Sequence, residues 1–113
     1  MNCIFCKIAA GEAPSTTLYK DDQVTAFRDL HPVAPTHVLI IPNKHIVSVN
    51  EAIPENEALF GHLFVVARKI AEMEAIHENG YRVIVNTGVH GKQTVSHLHM
   101  HVIGGRPMRH PMG

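Results

Sequence analysis

The sequence predicts an α+β domain, a mostly antiparallel sheet carrying one long helix. Three observations point there. Leu59, Leu63, Val66, Ile70 and Met73 recur every three or four positions, the period of a helix with one apolar stripe. Around that helix lie short runs rich in β-branched and aromatic residues, among them PTHVLIIP and YRVIVN. Near the end, VSHLHMHVIGG places His97, His99 and His101 at every second position. In a strand that period turns all three rings to one side. Strands grouped about a single helix suit an α+β arrangement better than repeated βαβ units.

The elements follow in order. After a short N-terminal segment, MNCIFCKIAAG, the stretch TLYKDDQVTAFRDL reads as two short strands joined at Lys20-Asp21-Asp22. PTHVLIIP is a strongly apolar strand bounded by Pro35 and Pro42, and NKHIVSVNEAI is a loop or irregular turn. Pro54 suits the first position of the long helix, with Glu55 and Glu57 near its positive end. Asn79 and Gly80 provide the stop. YRVIVN is a strand, TGVHGKQT a polar loop, and the histidine strand comes next. Its second face, with Val95, Leu98, Met100 and Val102, reads as the buried half. The tail has no regular pattern.

A chain of 113 residues makes one domain, taken as residues 1–113. Ten Lys and Arg balance ten Asp and Glu, so the formal charge is zero with neutral histidines. That balance argues against electrostatic binding to nucleic acid or to an anionic membrane. The N-terminal segment lacks a long apolar core and no segment is long enough to span a bilayer, so a cytoplasmic location is expected. There Cys3 and Cys6 stay reduced, without a structural disulfide.

Ten histidines with no tryptophan is the unusual feature. Alternating histidines on a strand can form a solvent face, gather around a metal, or surround a group that needs protons moved and negative charge held. Thr94, nearby amides, Asn86 and the imidazoles can converge on an anion such as a phosphate, although no Walker or dinucleotide glycine pattern accompanies them. CIFC is a Cys-x2-Cys pair without a second pair, and a closed zinc site would need two more ligands from elsewhere.

HLHMHVI matches the His-x-His-x-His signature of the histidine triad nucleotide-binding family. VTAFRDLHPVAPTHVLIIPNKHI, GYRVIVNTG and GGRP further resemble its HINT branch of nucleoside phosphoramidases, so the likeness covers nearly the whole chain. The resemblance implies a HIT-like fold with a short N-terminal helix and a homodimer. The implied substrate is a purine nucleotide whose nucleoside 5′-monophosphate, expected to be AMP, is cut from an amine. In the family the middle triad histidine, here His99, attacks phosphorus to form a nucleotidyl-histidine that water then cleaves. The backbone carbonyl of His97 would hold the other nitrogen of that ring. The resemblance places His101, Asn86 and Thr94 at the phosphate, with Lys92 and Gln93 in the adjoining loop. It places Asp29 at the ribose hydroxyls and Leu30 at the base.

A microbial subset of the family carries the N-terminal cysteine pair and binds zinc. The corresponding residues are Cys3, Cys6, His45 and His97, which would make zinc structural and leave the chemistry free of metal. The chain departs from its relatives at four places: Lys92 stands for glycine, Thr94 for serine, Ser96 for an aromatic residue and His110 for tryptophan. In HINT proteins the tail of one subunit reaches the partner's active site, so His110 bears on the leaving group. Two other readings stay open: a zinc hydrolase using the triad itself as ligands, and a protein that binds nucleotides without turning them over. His37, at the start of an apolar strand, reads as a satisfied core histidine, and His90 as a solvated loop residue.

Overall fold

The structure is a computed structural model and describes residues 2–113. Five strands form one sheet: β1 (Thr17–Lys20), β2 (Val24–Arg28), β3 (Thr36–Pro42), β4 (Tyr81–Val85) and β5 (Met100–Gly104). They lie in the order β1-β2-β3-β5-β4, and every neighbouring pair is antiparallel. The helices are α1 (Ile4–Ala9) and α2 (Glu57–Met73). Among the described residues no helix is long and apolar enough to cross a membrane.

Alternation along β3 divides the core. Val38 and Ile40 face α2 and pack with Val24, Ala26, Leu63, Val66, Ile70, Met100 and Val102. Leu39 and Ile41 face the other way and pack with Phe5 and Ala9 of α1 and with Phe27. β3 is buried along its whole length, as expected for a central strand covered on both faces.

The strands sit where the sequence reading puts them, but four details differ. α2 is preceded by a 3-10 turn at Pro54–Asn56 and ends at Met73, short of Asn79-Gly80. The stop comes from Ala75, which takes a positive φ of 56° and turns Ile76 back into the core. Gly104 makes room for this return, since a Cβ there would meet Ile76 Cδ1 at 2.8 Å. Met73 is 54% exposed, because the buried set follows Leu63, Val66, Ala67, Ile70 and Ala71, a pattern that leaves Met73 outside. The histidine strand is shorter than expected: only His101 lies within β5, and His97 and His99 precede it. Val95 does not join Leu98 on the buried half. It packs against the Phe5–Phe27–Leu39 cluster, on the side of the histidine rings.

The β1–β2 turn is tied to α2 through one carboxylate. Asp21 Oδ2 accepts from Tyr19 Oη at 2.7 Å and from His62 Nε2 at 2.6 Å. Oδ1 accepts from the amides of Gln23 and Val24, each at 2.8 Å. Burial works against the charge, but the bonds from His62, Tyr19 and the two amides outweigh it and hold the carboxyl well below the ordinary carboxylate range. Asp21→Asn removes the charge-assisted bond from His62. It should cost about 1–2 kcal/mol, read as a fall of roughly 4–8 °C in thermal denaturation. An unchanged midpoint would show that the carboxylate contributes nothing to the docking of α2.

Candidate active site

The face of the sheet away from α2 carries the histidines. β3–β5 pairing sets His37 opposite Ile103 and Leu39 opposite His101, and β4–β5 pairing sets Ile84 opposite His101. α1 covers the β1–β3 half of this face. Between helix and sheet lies a pocket of about 310 Å³. Its inner wall is apolar, from Ile4, Phe5, Ile8, Phe27, Leu39 and Val95, and its polar end presents Asp29, Thr94, His99 and His101. A shape of this kind accepts a flat apolar group with a charged or hydroxylated end.

Backbone groups of known polarity set the tautomers of the rings. The carbonyl of His97 lies 2.8 Å from His99 Nδ1 and can only accept, so Nδ1 carries the proton and Nε2 keeps its lone pair. The ring is 6% exposed and packs edge-on to Phe5 with centroids 5.1 Å apart, which limits its orientation. The opposite logic applies at His101. The Val33 amide donates to His37 Nδ1 at 3.2 Å, so the proton of a neutral His37 sits on Nε2. That nitrogen is 2.9 Å from His101 Nδ1 and donates to it, which leaves His101 with its own proton on Nε2. Two neighbouring rings, with centroids 5.2 Å apart, thus hold complementary forms: His99 offers a lone pair and His101 a donor.

Asp29 closes this chain. Its Oδ2 lies 3.3 Å from His37 Nε2, and its Oδ1 accepts from the His31 amide at 2.8 Å. Burial pushes His37 below its ordinary value, with Asp29 opposing. Burial, reinforced by His99 and His37 and opposed by Asp29, lowers His101 to about 4. Both rings are neutral near pH 7, as the tautomer assignment requires.

His97 turns elsewhere. Its Nε2 donates to the Pro42 carbonyl at 2.9 Å, so the Nδ1 lone pair faces Cys3 Sγ at 3.3 Å, Cys6 Sγ at 3.5 Å and His45 Nδ1 at 3.2 Å. Cys6 Sγ is 3.3 Å from His45 Nδ1, and the four ligand atoms all lie within 4.8 Å of one another. A zinc tetrahedron with ligand distances of about 2.0 Å to nitrogen and 2.3 Å to sulfur has edges of roughly 3.3–3.8 Å. The cluster could hold a metal ion, and the Pro42 carbonyl supplies the outer hydrogen bond that orients a ligating imidazole. Cys3 caps α1 by accepting from the Cys6 amide at 3.4 Å, which brings both sulfurs to one end of the helix.

The triad does not act as a single ligand set. His97 joins the cysteines, whereas His99 and His101 face the pocket. Asp29, His37 and His101 also offer atoms within 4.8 Å of one another. There the Val33 amide keeps the proton on His37 Nε2, the atom a metal would need.

Of the residues proposed from sequence, Asp29, Leu30, Thr94, His99 and His101 line the pocket. Leu30 is 85% exposed and forms its rim. Asn86, Lys92 and Gln93 do not line it. Asn86 is one residue past β4, and extending the Val85–Met100 register brings it opposite His99. Gln93 is occupied as a clamp: it accepts from the Gly88 amide at 3.0 Å and donates to the carbonyls of Val47 at 2.7 Å and Val95 at 2.9 Å. Lys92 is exposed and left-handed, with φ 61°, a conformation glycine adopts without strain. Sequence reasoning missed the inner wall from α1 and the role of His37. The parity of His37 with Leu39 on β3 was the available signal.

Fold and site together define a class. The chain belongs to the HIT domain family, whose pattern matches residues 10–108. A purine nucleoside phosphoramidase of Escherichia coli (strain K12) is 56% identical over 105 residues, covering 93% of this chain and 88% of that one. A solved HIT family hydrolase from Legionella pneumophila superposes with a TM-score of 0.95 at 46% identity, covering 99% of this chain and 100% of its own. A zinc-bound histidine triad family protein from Mycobacterium smegmatis gives a TM-score of 0.79 at 30% identity, covering 94% of this chain and 76% of that one.

The depressed histidines make stability depend on pH with a definite sign. Above about 6.5 His101 is neutral in folded and unfolded chains alike. Between there and about 4 the unfolded chain takes up a proton that the folded chain refuses, so stability falls as pH falls. Thermal denaturation between pH 7 and pH 4.5 should show this loss, and His101→Asn should show less of it. Identical slopes in the two proteins would refute the assignment of a neutral buried His101.

Proposed function

We propose that this chain, acting as one domain over residues 1–113, hydrolyses purine nucleoside phosphoramidates through a nucleotidyl-histidine at His99. The observation that carries this is the paired tautomers: a lone pair on His99 Nε2 beside a donor on His101 Nε2, at the polar end of a nucleoside-sized pocket. The 56% identity to a phosphoramidase supports the reading.

The nucleoside of the substrate, expected to be adenosine, lies against Phe5, Phe27 and Leu39, with Asp29 accepting from the vicinal ribose hydroxyls. Asp29 favours ribose over deoxyribose because its second hydroxyl has no counterpart there. His101 Nε2–H donates to a non-bridging phosphate oxygen, and Asn86 adds a side-chain amide nearby. His99 Nε2 attacks phosphorus as the P–N bond breaks. The departing nitrogen takes a proton, relayed from water by the Thr94 hydroxyl on the pocket's polar end. Water then attacks the same phosphorus, His99 leaves, and the nucleoside monophosphate is released. Throughout, the His97 carbonyl stabilises the charge that develops on the His99 ring.

Cys3, Cys6, His45 and His97 would hold zinc, which when bound ties the N-terminal segment to the sheet. His97 thereby steadies the carbonyl that aligns His99, and no bond-making step needs the metal. The protein works as a cytoplasmic homodimer. In support, β4 is an apolar edge strand with one side unpaired, and Phe64 and Val65 on α2 are 61% and 47% exposed. Neither nucleic acid nor membrane is a partner, in line with the zero formal charge.

Hydrolysis of an adenosine phosphoramidate separates the candidate readings. His99→Ala should lose at least about a thousandfold in turnover while still binding AMP. Turnover by the wild type should survive a chelator at temperatures where the protein stays folded, with a lower denaturation midpoint. Activity lost to the chelator in a folded protein would favour the metal hydrolase. Bound AMP without turnover in the wild type would leave a binding protein.

A further inference from the structure

We propose that a second pocket, on the β4 side of His101, selects leaving groups that carry a negative charge, a carboxylate or a phosphate a short distance beyond the scissile P–N bond. This rests on the phosphoramidase reading above and adds the class of leaving group. The pocket has a volume of about 310 Å³. Its floor is Ile84 and Ile103, and around it stand Arg82, Arg106, Arg109 and His110. No Asp or Glu lines it.

Position follows from register. Ile84 is the cross-strand partner of His101 and Arg82 that of Ile103, so all four side chains share one face of the sheet. Neighbouring strands are about 4.8 Å apart, and the basic pocket therefore begins one strand beyond the phosphate site. The nucleoside pocket lies on the other side of His101, toward β3 and α1. A substrate with its nucleoside there and its phosphorus between His99 and His101 sends its leaving group toward β4 and the tail.

Charge gives the chemistry. The chain has five arginines. Arg28 pairs with Glu74 at 2.7 Å and Arg68 pairs with Glu72. Among the described residues the other three have no carboxylate partner, and all three line this pocket. Arg106 donates to the carbonyls of Val33 and Pro107, which holds it as part of the wall. Among the described residues the guanidinium groups of Arg82 and Arg109 find no such bond and are left to meet an anion. In a protein whose acids and bases balance overall, this is a local positive field beside the departing nitrogen.

The test compares kcat/KM for three adenosine 5′-phosphoramidates, whose amines are β-alanine, 2-aminoethyl phosphate and the neutral β-alaninamide. The wild type should prefer at least one anionic amine over β-alaninamide by about tenfold at low salt, with the ratio shrinking as salt rises. Which anion gains more tells carboxylate from phosphate. Arg82→Gln and Arg109→Gln should each lower that ratio toward one while changing β-alaninamide turnover little, and Arg82→Lys should restore part of it. A ratio near one in the wild type, or a preference untouched by both glutamine variants, would overturn this proposal alone. No turnover of β-alaninamide or either anion would overturn the phosphoramidase reading together with it.

Discussion

The antiparallel pairing of β3 with β5 is the constraint on which the site depends. It sets Leu39 against His101 and His37 one step along, so that a buried ring from one strand meets a half-buried ring from the other at 2.9 Å. A slip of one residue would send His37 and His101 into the α2 face and bring Val38 and Val102 out. The apolar residues that occupy the α2 face prevent that slip, since Val38, Ile40, Met100 and Val102 are all essentially fully buried there. The hydrophobic core and the placement of the histidines are therefore one and the same choice of register.

Main-chain groups then determine what each imidazole can do. Two carbonyls and one amide, from His97, Pro42 and Val33, are enough to orient four rings. Because a carbonyl only accepts and an amide only donates, the proton positions of His97, His99, His37 and His101 follow without any appeal to titration. The effect is to distribute three like residues among unlike tasks. His97 faces sulfur, His99 presents a lone pair and His101 presents a donor. Burial acts in the same direction by keeping His37 and His101 uncharged at neutral pH.

The N-terminal segment couples these tasks. Phe5 of α1 packs at once against Phe27 on the sheet and against the rings of His97 and His99. The same short helix presents Cys3 and Cys6 to His45 and His97. A six-residue helix has little stability of its own, so its docking rests on this packing and on the thiol–imidazole cluster. The apolar wall of the pocket beside His99 and the alignment of that ring thus depend on a segment that contributes nothing to the sheet.

Much of this was legible in the sequence. The period of α2, the turn residues between strands and the two-residue spacing of the histidines are local signals, and local signals report secondary structure and side-chain parity directly. The family resemblance supplied roles for Asp29, Thr94, His99 and His101, and the structure gathers those four at one pocket. The places where the reading went astray are those decided by distant partners. α2 ends early because Ile76 returns to the core, and Gln93 is used to brace its loop across to Val47, whereas Val95 keeps the parity of the three histidines, which the spacing alone gives. His37 looked like an ordinary core histidine because nothing in its neighbourhood along the chain announces His101, 64 residues away. By itself the sequence determined the α+β class and the order of strands and helices along the chain, since these follow from spacing and burial preference. Only the tertiary structure decided which nitrogen of each histidine holds a proton and which arginines lack a carboxylate, because both depend on groups brought close by strand pairing rather than by sequence.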